Sequence, residues 1–176
     1  MPITSTLAKD AESGNSSNDV IRFIPALRAY AWSLTRRQQD VDDLVQETLT
    51  KAIANIDRFQ RGTNLRAWLM TIMRNSFYND VTKRKREQTG GADCVSARAW
   101  VAGTQEWTIR GSEIMRAVSA LPAHYRQTLI LVVMLGESYE TTADICGIAI
   151  GTVKSRVNRA RAMVLEQLGE DSDFVG

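Results

Sequence analysis

The chain has 176 residues, 44% of them hydrophobic and 24% charged, with a formal net charge of only +2. This is the composition of a soluble globular protein, long enough for one large domain or two small ones, and its overall charge does not announce a nucleic-acid partner. Two cysteines are too few for a disulfide framework, one histidine leaves a Cys/His zinc site short of ligands, and no apolar run approaches the roughly 18 residues of a membrane span.

Residues 1–17 are small and polar and read as a disordered lead-in. They lack the apolar core of a signal peptide, so a reducing cytoplasm is the expected location. Residues 18–86 read as a first helical domain. Ile24, Leu27, Ala31 and Leu34 mark its first helix, with Pro25 at the start or at a kink. The second helix begins near Asp40 and buries Val41, Leu44, Val45, Thr48, Leu49 and Ala52. Asp40, Asp43 and Glu47 then share an exposed face, which fits either a solvated helix or a docking surface. The third helix runs from about Asn64 to Arg86 on a stripe of Leu65, Leu69, Ile72, Met73, Phe77 and Val81. Trp68 and Asn75 lie seven apart, almost on one face, ahead of the basic run Lys83, Arg84, Lys85, Arg86. An aromatic, an amide and a cationic end suit single-stranded DNA. Taken alone, Trp68 reads more commonly as a core tryptophan.

Residues 87–110 read as a flexible linker holding Cys94, Trp100 and Trp107. A second helical domain spans 111–169, followed by an acidic tail over 170–176. Ile114, Val118 and Leu121 end a helix before Pro122, and Ala123–Leu135 reads as an apolar helix with Leu129, Val132 and Val133 in the core. Gly136 closes it. Two short helices joined at Gly147 then make a helix-turn-helix. Ala143, Ile145 and Cys146 face inward on the first, and Ile148 and Ile150 wedge the pair apart. Val153, Val157, Ala160 and Val164 form the apolar stripe of the second. Lys154, Ser155, Asn158 and Arg159 fall off that stripe, where cations meet phosphates and guanine edges and an amide meets adenine. A solvated basic helix in a bundle would carry the same charges. Separate acidic and basic patches point to more than one partner. The single His124, with no phosphate-binding glycine loop and no metal-ligand cluster, argues against an enzyme.

Across residues 18–168 the chain resembles the bacterial sigma-70 family. DVDDLVQETLTKAI and DRFQRGTNLRAWLMTIMRNSFYNDVTKRKR look like region two, and LPAHYRQTLILVVMLGESYETTADICGIAIGTVKSRVNRARA looks like region four. Only a linker separates them, the layout of the extracytoplasmic function (ECF) class. FIPALRAYAWSLTRRQQDVDDLVQETL and ICGIAIGTVKSRVNRARA are similar to the EcfG-type general stress response factors of alphaproteobacteria. The resemblance implies an all-α protein of two small helical domains, with neither catalysis nor cofactor nor metal. Its implied partners are RNA polymerase core, promoter DNA and an anti-sigma factor, with no membrane and no small-molecule substrate.

It also implies roles. Asp43, Gln46 and Glu47 match the acidic motif that docks on the polymerase clamp. Phe59, Arg61 and Asn64 lie in the loop that takes up an extruded minus-ten base. Trp68 and Asn75 match the melting face, and Lys83, Arg84, Lys85 and Arg86 the backbone phosphate contacts. Thr152, Lys154, Ser155, Arg156, Asn158 and Arg159 match the face that reads the minus-thirty-five element. Thr141 and Thr142 depart from the pattern, where relatives often carry Glu and Ala, and so does the Phe77–Tyr78 pairing. Two other readings are a sigma-like decoy that binds only an anti-sigma factor, and a helix-turn-helix regulator acting without polymerase.

Overall fold

The computed structural model describes residues 20–60, 62–87 and 107–169. Expectations for the N-terminus, Cys94, Trp100 and the acidic tail lie outside these. So do Arg61 and the side chains of Lys85 and Trp107.

Among the described residues the first domain has three long helices. α1 (Ile24–Thr35) carries Pro25 in its first turn, where the missing N–H costs no helical bond, so the proline starts the helix and does not kink it. It buries Leu27, Tyr30, Ala31 and Leu34. α2 (Gln38–Ala54) buries Val41, Leu44, Val45, Thr48 and Ala52, the stripe its periodicity predicts. A 3-10 turn over Ile56–Arg58 leads to α3 (Leu65–Glu87), whose Leu69, Met70 and Met73 are fully buried. Burying each of these large side chains contributes about 1.5–3 kcal/mol relative to exposure.

Among the described residues the second domain has four α-helices. α4 (Trp107–Ala120) begins inside the stretch expected to be linker. α5 (Ala123–Leu129) passes into a π-helical turn over Ile130–Met134. That wider turn rotates the following side chains. Ile130 and Leu131 go into the core, and Val133, expected there, is 50% exposed. α6 (Tyr139–Cys146) starts at Ser138, whose hydroxyl accepts from the Thr141 N–H at 3.0 Å. It ends at Gly147, left-handed at φ 63°, where an L side chain would be strained. The Ile148 N–H then bonds the Ala143 carbonyl at 3.1 Å. α7 (Ile150–Leu168) buries Val153, Val157 and Ala160 completely. Ile148 alone supplies the wedge, because Ile150 opens the first turn of α7 and stays 41% exposed.

The domains pack together. Leu131, Ile145 and Cys146 join the core built by α1, α2 and α3, and Trp32, Leu135 and Ile148 touch both cores. α3 lies against α6, and α1 against α5.

Candidate nucleic-acid interface

On α2, Asp43 and Gln46 are exposed and Glu47 is half-buried. Glu47 accepts from Lys51 Nζ at 2.5 Å, and the same Nζ donates to Ser76 Oγ of α3 at 2.9 Å. Asp42, on the flank, pairs with Arg28 at 2.7 Å, whereas Asp43 makes no ion pair among the described residues. Asp40, Asp43 and Glu47 line a shallow depression with Asp80 and Arg84 of α3. The acidic face is therefore a surface shared by two helices.

The loop before α3 holds Phe59 against Trp68, ring centroids 5.3 Å apart and tilted by 48°. Asn64 has a structural task that the sequence reading missed: its Oδ1 accepts from the Ala67 N–H at 3.1 Å and caps α3. Its side-chain N–H groups are not used by that bond. Trp68 is half-buried against the core with one flank on Phe59, so the core and platform readings describe two sides of one ring. Asn75 is exposed about 10 Å further along the helix, at 1.5 Å per residue. Lys83, Arg84 and Arg86 are exposed beyond it.

On α7, Lys154, Ser155, Asn158 and Arg159 are exposed, and Thr152 and Arg156 are half-buried. Ser155 Oγ donates to the Thr152 carbonyl at 3.0 Å, and Lys154 Nζ lies 6.0 Å from the Tyr139 ring. Two residues of α5 that the sequence reading passed over border this face. His124 and Tyr125 have ring centroids 4.1 Å apart. The Tyr125 hydroxyl beside Arg159 raises the guanidinium pKa, and burial followed by Arg156 lowers that of His124. Their only signal was two rings after Pro122. Glu140 is held below the usual carboxylate range by its own N–H and by the Ser138 hydroxyl, then by Lys154.

One chain thus carries a helix-turn-helix with a cationic, solvent-facing second helix. It also carries an aromatic–amide–cation helix beside an acidic face. Residues 20–87 match the model of sigma-70 region 2, and residues 112–164 match that of sigma-70 region 4. The ECF RNA polymerase sigma factor EcfG of Rhodopseudomonas palustris is 44% identical over 92% of this chain and 84% of its own length. The chain belongs to the sigma-70 family, in its ECF class.

Solved structures agree. The sigma factor RpoE of Bartonella quintana, in complex with the anti-sigma factor NepR, is 40% identical with a TM-score of 0.74. That match covers 89% of this chain and 98% of RpoE. CnrH, in complex with the cytosolic domain of CnrY, is 27% identical with a TM-score of 0.63, over 94% of this chain and 97% of CnrH. As a sigma factor the protein directs transcription initiation and has no catalysis of its own; the polymerase supplies the chemistry. Among the described residues no helix is long and apolar enough to cross a membrane.

Proposed function

We propose that the sigma factor divides its work along residues 18–86 and 111–169, joined by 87–110. Asp43, Gln46 and Glu47 dock on core polymerase. The Phe59–Asn64 loop receives a flipped minus-ten base; flipping costs a few kcal/mol, which a fitted pocket must offset. Trp68 and Asn75 stabilise the opened strand, and Lys83, Arg84, Lys85 and Arg86 hold phosphates. Thr152, Lys154, Ser155, Arg156, Asn158 and Arg159 read the minus-thirty-five duplex in the major groove. The observation that carries this reading is α7: Val153, Val157 and Ala160 of its stripe are fully buried while Lys154, Ser155, Asn158 and Arg159 face solvent.

An anti-sigma factor controls it, as NepR is bound to the similar RpoE. An open apolar groove of about 400 Å³ between the domains, lined by Pro25, Trp32, Val41, Met115, Ile130 and Met134, supports that reading. Val133 and Met134 are exposed on the same turn of the second domain. An amphipathic helix fits such a surface. The likeness to EcfG supports a role in the general stress response, and work on polymerase places the protein in the cytoplasm.

The test separates melting from binding. Asn75→Ala slows promoter opening, read by permanganate reactivity, more than it weakens the closed complex. Equal loss of both would make Asn75 a structural residue.

A further inference from the structure

We propose that Ile150 is a specificity-determining residue of α7, packing its side chain against the C5-methyl group of a thymine in the minus-thirty-five duplex. This assignment rests on α7 lying in the major groove.

A single exposed apolar side chain is ordinary on a protein surface. The place of Ile150 is what sets it apart. It stands three and seven residues before Val153 and Val157, which are fully buried, so its spacing alone would put it in the core. Ile148 instead packs against both cores, and Ile150, the first residue of α7, is left 41% exposed. The next residue, Gly151, is also exposed, and nothing lies within 4 Å of where its Cβ would sit. A glycine weakens a helix, and no neighbour demands one here. It leaves bare backbone that a base edge can approach closely, beside an aliphatic side chain.

The surroundings fit DNA. The first turn of α7 holds no acidic residue. Exposed Lys154 lies one turn after Ile150, and exposed Asn158 one turn after that, so the three form a row that winds slowly round the helix. Successive members are about 6 Å apart along the axis, close to the height of two base pairs. The row offers an aliphatic group, a cation and an amide in that order. In the major groove thymine presents an apolar group, its C5 methyl, while cations meet guanine edges and amides meet adenine. Residues at the N-terminal end of a groove-bound helix are the ones that reach base edges. Ile150 therefore meets a thymine about two base pairs from the base met by Lys154. A protein partner would also accept an aliphatic side chain, but the cations at Lys154 and Arg159 complement phosphate, which favours DNA. Covering one methyl group is worth about fourfold in affinity.

The experiment uses holoenzyme assembled from the full chain and bacterial core polymerase, on a promoter from which the wild type initiates. The minus-thirty-five region is randomised and prepared with either thymine or deoxyuridine, which lacks the methyl. Ile150→Ala and Ile150→Val are run beside wild type, and bound duplexes are sequenced. Wild type should prefer thymine at one position, and deoxyuridine should lower that preference about fourfold. Ile150→Ala should show the same loss on thymine DNA and no further loss on deoxyuridine DNA. Ile150→Val, one methylene shorter, should fall between, and preferences at the other positions should stand in both variants. Unchanged thymine preference in Ile150→Ala overturns the proposal and leaves the side chain to a protein partner. A thymine preference that survives removal of the methyl overturns it too, as does an even loss at every position in both variants, which marks a structural role. If wild type shows no preference anywhere in the region, α7 is not in the groove and the wider assignment falls with the proposal.

Discussion

Arg126 Nε donates to the Ser33 carbonyl oxygen at 2.9 Å, joining residues 93 apart in sequence and in different domains. The guanidinium is fully enclosed and also satisfies Leu121. Arg126→Met would bury these carbonyls without their donor. Each unsatisfied group costs about 1–3 kcal/mol, so an overall loss of about 3 kcal/mol is expected in urea unfolding. A loss below about 0.5 kcal/mol, the range of ordinary surface changes, would mean that water replaces the side chain freely.

The turn of the helix-turn-helix makes a narrower prediction. Nothing lies within 4 Å of where a Cβ on Gly147 would sit, and φ is +63°. Gly147→Ala therefore costs backbone strain alone, about 1 kcal/mol in thermal unfolding. The variant should keep its helical content. Full stability would show that the turn relaxes to another conformation.

The legible parts of the fold were those where one helical period decides burial. Val153, Val157 and Ala160 are all buried as their spacing predicts, and Asp43 and Gln46 are exposed opposite the α2 stripe. Val133 was misplaced because the π turn over Ile130–Met134 breaks the phase that a 3.6-residue period assumes. The start of α4 at Trp107 was hidden because its first turns bring no clear apolar stripe. The seam between the domains was illegible for a different reason: Arg36, Arg66 and Arg126 bond backbone carbonyls, which every residue has, so no pattern in the sequence marks their partners. Trp68, Asn75 and the outer face of α7 were read from side-chain type and spacing, and the Phe59–Asn64 loop from the family resemblance, but the capping role of Asn64 and the rings beside α7 needed the fold.

Thr142, one of the departures from the family pattern, has a physical consequence. It is 0% exposed, and its Oγ1 has no hydrogen-bond partner. Replacing the hydroxyl by a methyl of equal shape removes that penalty. Thr142→Val should raise stability by about 1 kcal/mol in urea unfolding. A destabilised variant would show that the hydroxyl finds a partner in solution.

Arg159 is exposed on α7 with the Tyr125 hydroxyl beside it. If it reads a base, Arg159→Ala lowers discrimination at one position of the minus-thirty-five duplex by about 1–3 kcal/mol. If it binds phosphate, affinity falls evenly across sequences and the salt slope drops by about 1. We expect the first pattern, measured by competition binding over duplex variants. Unchanged selectivity would remove Arg159 from the reading face.

Initiation itself tests the central claim most directly. Purified protein is added to bacterial core polymerase with a library of promoter fragments, and transcripts are sequenced, with Asp43→Arg beside wild type. Wild type should give defined start sites that share two spaced motifs, and Asp43→Arg, altered at an exposed position, should lose them through at least tenfold weaker core binding, about 1.4 kcal/mol. Specific duplex binding with no initiation would contradict the account and leave a helix-turn-helix regulator in its place.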